Sequence, residues 1–222
     1  MCIVTELGKP SVKQAWTTAL QSPKKRDKLL IGSFIVAIML SGMPIFFNYI
    51  QKRQGVLLSD WVLANIPAHD VSIIIFTIIW GMAALTFARA LYNPVIYINY
   101  VWTLIFINLA RMLTIYLIPL DPPVGLIHLL DPLTNVFYGN TVITRDLFFS
   151  GHTSTMVLIF LCLEKRSDKV MGFIAIIAVM VLLLVQHIHY TIDVVAAPFL
   201  VYLIFLAVRK ILKLDQLKNS EN

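Results

Sequence analysis

Two clusters in the C-terminal half of the chain combine histidine, serine and acidic residues at spacings that suit chemistry. The first contains Ser150, Gly151 and His152, and the second contains His189 and Asp193. His189 and Asp193 are four positions apart, which predicts that they share one face of a helix. A carboxylate beside an imidazole fixes the tautomer of the ring and stabilises its protonated or phosphorylated form.

The first cluster has the pattern of a helix start. Ser150 is a favourable N-cap residue, and Gly151 allows the backbone to approach a ligand closely. The free N–H groups of the first turn then predict an anion site, with His152 and Thr153 within that turn. The alternative is a capped helix with an incidental interfacial histidine. For His189 and Asp193, the alternative is a polar pair that only joins two helices.

Two arginines are candidates to neutralise a bound phosphate. Arg111 lies within an apolar segment, where a charge needs a partner. Arg145 lies just before the serine cluster. The alternative is that Arg145 is an ordinary exposed loop arginine with no role in phosphate binding. Two histidines, one aspartate and an anion site form the set needed for two-step phosphoryl transfer. One histidine attacks phosphorus and the other protonates the leaving alcohol.

The composition requires that these clusters be positioned by membrane helices. Hydrophobic residues make up 59% of the 222 residues, charged residues make up 14%, and the mean hydropathy is +0.81. A soluble domain has about a quarter charged residues, and here the apolar residues occur in long blocks. The net charge is +6, but the basic residues flank apolar runs. We therefore predict contact with lipid head groups rather than a nucleic-acid partner.

The apolar blocks predict an all-α integral membrane fold, a bundle of six transmembrane helices. This membrane domain covers residues 29–208, between an N-terminal segment (1–28) and a basic tail (209–222). The fourth and fifth spans are at or below the usual 17–25 residues, which predicts helices that face protein rather than lipid. The six spans are predicted at about residues 29–50, 71–92, 94–118, 150–164, 170–185 and 188–208.

The basic residues predict the orientation. Alternating spans place 14 Lys or Arg residues on one side and four on the other. The richer side should be cytoplasmic, with both termini there. Both chemical clusters then lie at the opposite, periplasmic or lumenal, face. Cys2 and Cys162 would be cytoplasmic, so no disulfide is expected. The stretch Ser11–Gln21 is either a short interfacial helix or a mobile tail.

The remaining polar residues have simpler interpretations. Asp121 and Asp131 precede prolines and are expected to form turns. His128 is expected in the loop or at the interface, and His69 at the start of the second span. Residues 164–169 are expected to form a solvated loop. The sequence has no metal-ligand spacing, and we predict neither a metal nor a cofactor.

Four stretches resemble the type 2 phosphatidic acid phosphatase superfamily and, within it, the sphingomyelin synthase branch. Ser150-Gly151-His152 resembles the second superfamily motif, and His189-Tyr190-Thr191-Ile192-Asp193 the third. The runs from Arg111 to Tyr116 and from Asp146 to Thr153 are similar to two further blocks of the synthase branch. The resemblance covers roughly residues 100–200.

The resemblance implies a role for each site residue. His189 would be the nucleophile that forms a phosphohistidine, Asp193 would orient it, and His152 would act as general acid and then as base. A phospholipid would be the donor and a lipid alcohol such as ceramide the acceptor. The residues expected to bind the substrate phosphate are Arg111, Arg145, Ser150, Gly151 and Thr153, with His187, Asp146 and Tyr190 as accessory residues.

One position departs from the broader phosphatase pattern. That pattern has an arginine six residues before its nucleophilic histidine, where this chain has Leu183. The difference favours head-group transfer over hydrolysis. The alternatives are a lipid phosphate phosphatase that uses water as acceptor, and a non-enzymatic scaffold or transporter with a relict site. Association into a homo-oligomer is an open alternative.

Overall fold

A computed structural model describes residues 11–129 and 143–219, and within these residues the fold is helical, with one isolated β-bridge. The termini of the long helices alternate between two ends of one bundle. The helices are α1 (Val12–Gln21), α2 (Pro23–Gln51), α3 (Trp61–Ala64), α4 (Ser72–Tyr92), α5 (Pro94–Leu117), α6 (Gly151–Cys162), α7 (Arg166–Val185), α8 (Thr191–Ile211) and α9 (Asp215–Asn219).

Five of the described helices, α2, α4, α5, α7 and α8, are long and apolar enough to cross a membrane. This arrangement fits a multi-pass membrane protein. The predicted fourth span corresponds to α6, which has only 12 residues. At 1.5 Å per residue, α6 rises about 18 Å, whereas the hydrocarbon core is about 30 Å thick. The prediction of six spans is therefore not confirmed.

Helix α6 lies inside the bundle. It packs against α4, α5, α7 and α8. Its side chains Met156, Leu158 and Ile159 are fully buried in the main hydrophobic core. A helix surrounded by protein does not need to match the thickness of the bilayer. The prediction that this short segment faces protein rather than lipid is confirmed.

The start of α7 corrects the sequence prediction. The helix begins at Arg166 rather than near residue 170, so the fifth span has 20 residues and is not short. Asp168 lies in its first turn, is buried, and pairs with Arg89 of α4 at 2.6 Å. The prediction of a solvated loop at residues 164–169 is therefore right for the exposure of residues 164–167 but wrong for the conformation, because the helix begins at Arg166 and the ion pair holds Asp168 against α4.

The two ends of the described chain meet at one end of the bundle. Ala19 of α1, Leu29 of α2, Val208 of α8 and Leu217 of α9 belong to one hydrophobic cluster. Residues 12–21 form a helix rather than a mobile tail. Which side of the membrane this end faces stays a prediction. Cys2 and Asp131 lie outside the described residues, and Cys162 is a free, buried cysteine.

At the opposite end, the segment after α2 pairs with the segment after α5. Val56 forms an isolated parallel bridge with Leu120, and its N–H donates to the Pro119 carbonyl at 2.9 Å. A Cβ atom on Gly55 would lie 2.4 Å from the carbonyl carbon of Leu120. Only glycine therefore allows the two backbones to approach this closely.

We expect Gly55→Ala to destabilise the protein by about 2 kcal/mol or more, because the new methyl group would overlap backbone atoms that cannot rotate away. The matched control is Gly42→Ala in α2, where a Cβ atom would have nothing within 4 Å. Alanine there should be neutral or stabilising by up to about 1 kcal/mol. Thermal unfolding in detergent would compare the two. Equal unfolding temperatures would contradict the close approach.

Candidate active site

The first cluster forms the start of α6. Ser150 is the N-cap residue, as predicted, and its Oγ accepts the N–H of Thr153 at 3.4 Å. The Ser154 hydroxyl donates to the Ser150 carbonyl at 2.6 Å. His152 therefore lies in the first turn of the helix. The Thr153 side chain is fully buried, and the Thr153 N–H is the group that Ser150 caps.

The second cluster forms the turn before α8. The sequence predicted His189 and Asp193 on one face of a helix that starts at Ile188. That prediction was wrong, because α8 begins at Thr191 and His189 precedes it. The Asp193 carboxylate accepts the N–H of Tyr190 at 3.0 Å, which caps the helix start. His189 Nδ1 nevertheless lies 3.6 Å from Asp193 Oδ2, across the helix terminus.

The two clusters meet. The ring centroids of His152 and His189 are 6.2 Å apart, with an angle of 64° between the planes. The backbone also joins the clusters, because the N–H of Ser150 donates to the Asp193 carbonyl at 3.1 Å. Phe76 of α4 lies edge-on to His152, with 6.3 Å between centroids. Both imidazoles are thus close enough to contact a single phosphoryl group.

The second histidine and its carboxylate are shielded from solvent. His189 is 2% exposed and Asp193 is fully buried. Within residues 11–129 and 143–219, His189 Nδ1 and Asp193 Oδ1 have no hydrogen-bond partner. A shift of a few tenths of an ångström would turn the 3.6 Å contact into a hydrogen bond. With Nδ1 facing the carboxylate, Nε2 is the nitrogen left for a substrate.

Arg111 reaches the start of α6 from α5. Its guanidinium donates from Nε to the Phe149 carbonyl at 2.9 Å and from Nη2 to Asp146 Oδ1 at 2.6 Å. Arg111 is 6% exposed, so Asp146 is the partner that its charge requires. A Cβ atom on Gly151 would lie 2.7 Å from Cζ of Arg111. The glycine thus makes room for the guanidinium at the helix terminus.

Arg145 has a different environment. Its Nε donates to Asp121 Oδ1 at 2.8 Å, and its Nη1 donates to the Gln51 carbonyl at 2.5 Å. The Gln51 side chain in turn accepts the N–H groups of Thr144 and Arg145. Asp121 is therefore an ion-pair partner as well as a loop residue. Arg111 therefore lies at the N-terminus of α6. Arg145 is instead bonded to the C-terminal end of α2 and to the loop of residues 118–129.

His187 is directed away from Asp193. It has a positive φ of 55°, and its ring nitrogens lie 3.0 Å from the Val124 carbonyl and 2.9 Å from the Ile66 carbonyl. The ring therefore contacts two other loops of the same end. His69 and His128 are exposed, in agreement with boundary or loop positions.

Asp60 was not among the site residues predicted from the sequence. Its carboxylate accepts the N–H of Thr191 at 2.6 Å and the Thr191 hydroxyl at 3.0 Å. Burial alone would raise the pKa of Asp60, but hydrogen bonds from Thr191, Leu63 and Val62 outweigh it and lower that pKa below its ordinary value. The aspartate before Trp61 is a recognisable helix N-cap. Nothing in the sequence links it to a residue 131 positions away.

Tyr190 completes the contacts around this turn. Its hydroxyl donates to the Asp121 carbonyl at 2.9 Å and accepts the N–H of Leu58 at 3.2 Å. Burial raises the pKa of Tyr190, so the hydroxyl keeps its proton as a donor.

Among the described residues, no group of three or more His, Cys, Asp or Glu side chains has metal-binding geometry.

The segment that carries both histidines is similar to a known protein family. Residues 145–211 match the family described as PAP2 superfamily C-terminal. The PAP2 match runs through α6, α7 and α8 and includes His152, His189 and Asp193, whereas Arg111 and Asp60 lie outside it. The match supports a relationship of this segment to the PAP2 superfamily, whose members are phosphatases and phosphotransferases. A comparison with curated proteins finds no match to the chain.

Proposed function

We propose that this chain is a membrane lipid head-group phosphotransferase of the sphingomyelin synthase type. It would move a phosphoryl head group from a phospholipid to a lipid alcohol such as ceramide. The observation that carries the proposal is the 6.2 Å approach of the His152 and His189 rings, with Asp193 3.6 Å behind His189. This arrangement supplies a nucleophile, an acid and an orienting carboxylate around one point.

In the first step, His189 Nε2 attacks phosphorus and the bond from phosphorus to the diacylglycerol oxygen breaks. Protonated His152 donates its proton to that leaving oxygen. In the second step, neutral His152 accepts the proton of the incoming alcohol, and the alcohol oxygen attacks phosphorus. The phosphorus–nitrogen bond breaks and both histidines return to their starting states. Asp193 stabilises the positive charge on the phosphorylated ring throughout.

Two observations support transfer over hydrolysis. His189 and Asp193 are almost completely buried, and exclusion of water protects a phosphohistidine from hydrolysis. Leu183, at the position where the broader phosphatase pattern has an arginine, is a fully buried member of the main hydrophobic core. A cation at that point would have to be accommodated among apolar side chains.

The proposed site lies at the bundle end opposite the clustered termini. The terminal end carries the basic residues of the α1–α2 segment, the start of α7 and the end of α8. By the positive-inside rule this end is cytoplasmic, so we propose that the site faces the periplasm or an organelle lumen. Protease access to tags on both termini would test the orientation, and external termini would reverse it.

The deciding experiment follows the product of a labelled head group. Purified protein would be reconstituted in vesicles of phospholipid labelled in the head group, with and without ceramide. Transfer predicts a labelled ceramide product that appears only when ceramide is present. Label that appears only as free phosphate or a water-soluble phospho-alcohol, independent of ceramide, would instead establish the hydrolase. Absence of any labelled product would contradict the proposed transfer.

A further inference from the structure

The candidate nucleophile lies in a short turn that is held on both sides by one distant segment. His189 is flanked by His187 on one side and by Tyr190 and Thr191 on the other. His187 Nε2 lies 2.9 Å from the Ile66 carbonyl, and the Tyr190 hydroxyl accepts the N–H of Leu58 at 3.2 Å. Residues 58–66 therefore contact the turn on both sides of His189. This segment lies outside the matched region 145–211.

The strongest of these contacts belongs to Asp60. One oxygen, Oδ2, accepts the N–H of Thr191 at 2.6 Å, and the other, Oδ1, accepts the Thr191 hydroxyl at 3.0 Å. Oδ1 also accepts the N–H groups of Val62 and Leu63, at 3.0 Å and 3.3 Å. One carboxylate thus caps the N-termini of α3 and α8, where a negative charge is stabilised by the helix dipole.

We propose that Asp60 is a positioning residue for His189, acting through the first residue of α8. This inference rests on the proposed function, in which His189 is the nucleophile. Thr191 lies midway between His189 and Asp193 in the chain. Fixing its backbone N–H therefore fixes the separation of the imidazole and the carboxylate, which is 3.6 Å.

The contacts require a carboxylate rather than an amide. Asp60 uses both oxygens as acceptors, whereas asparagine has a single acceptor oxygen and an NH₂ group that only donates. In Asp60→Asn, an amide nitrogen at the Oδ2 position would face the N–H of Thr191, and one at the Oδ1 position would face the N–H groups of Val62 and Leu63. Either orientation therefore places two donors against each other. The start of α8 would then shift while the fold of the rest of the bundle is kept.

The test compares Asp60→Asn with Asp70→Asn. Asp70 is a matched control, because its carboxylate also accepts an N–H at a helix start, that of Ser72 in α4, at 3.0 Å. We expect Asp60→Asn to lower kcat for head-group transfer about 10- to 100-fold, the cost of a misplaced catalytic group, with KM kept within about twofold. Asp70→Asn should keep the wild-type kcat. Thermal unfolding of both variants would report any general loss of stability.

A second measurement does not depend on turnover. In protein labelled with ¹⁵N-histidine, the His189 ring resonances would be assigned by their loss in His189→Ala. We expect them to shift in Asp60→Asn and to stay in place in Asp70→Asn. Unchanged His189 resonances in Asp60→Asn, or equal losses of kcat in both variants, would overturn the positioning role. An inactive wild-type protein with shifted resonances would instead count against the proposed function alone.

Discussion

Replacing His189 with alanine is expected to abolish head-group transfer, with a loss of turnover on the order of 10⁴-fold or more. The variant would lose the ring whose Nδ1 lies 3.6 Å from the Asp193 carboxylate. Without the nucleophile, no covalent intermediate can form. The measurements are turnover with labelled phospholipid and trapping of the labelled, acid-labile phosphoenzyme.

Three other histidine variants make this prediction specific. His69→Ala changes an exposed histidine at the start of α4 and should keep wild-type turnover. His187→Ala removes contacts to two loop carbonyls but no proposed chemical group, so phosphoenzyme should still form. His152→Ala should lower turnover by about 10²- to 10⁴-fold, the usual contribution of a general acid. Phosphoenzyme formation in His189→Ala would contradict the nucleophile assignment.

Replacing Arg111 with alanine is expected to lower both stability and turnover. The guanidinium is buried and holds Asp146 at 2.6 Å and the Phe149 carbonyl at 2.9 Å. The charge left without its partner is Asp146, whose side chain is partly exposed, so we expect a loss of about 1–3 kcal/mol rather than the full cost of a buried ion pair. The variant would also lose the cation closest to the start of α6, where we propose that the phosphate binds. Thermal unfolding and kinetics with labelled phospholipid would measure the two effects.

Gly151→Ala separates the two effects of Arg111. The new Cβ atom would lie 2.7 Å from Cζ of Arg111, so the flexible end of that side chain would move while its charge remains. We expect turnover to fall about 10- to 100-fold, with a smaller loss of stability than in Arg111→Ala because the cation stays near Asp146. The matched control is Gly81→Ala in α4, where a Cβ atom would have nothing within 4 Å. Equal turnover in the two variants would argue against a role for the guanidinium position.

Local patterns were sufficient for several features. The length and composition of the apolar blocks predicted six spans, and five of them correspond to helices that are long and apolar enough to cross a membrane. Ser150 was predicted as an N-cap, and the order of the helices predicted that His152 and His189 meet at one end of the bundle. These features depend on hydrophobic runs and on neighbours within four residues, and such rules can be read directly along the chain.

The start of α8 shows where local rules were insufficient. A spacing of four residues predicted a shared helix face for His189 and Asp193. The same spacing is also satisfied across a helix terminus, where Asp193 caps the N–H of Tyr190. Periodicity alone cannot choose between these geometries. In the structure the first residue of the helix, Thr191, is bonded to Asp60, a contact that periodicity does not record.

The sequence by itself therefore determined that this is a helical membrane protein with two histidine-containing clusters at one end. The tertiary structure alone decided that Arg111 pairs with Asp146 and that Arg145 pairs with Asp121. These partners are 35 and 24 positions apart in the chain, respectively, and Asp60 is 131 positions from Thr191. Contacts at such separations arise only when the helices pack, so no local pattern records them.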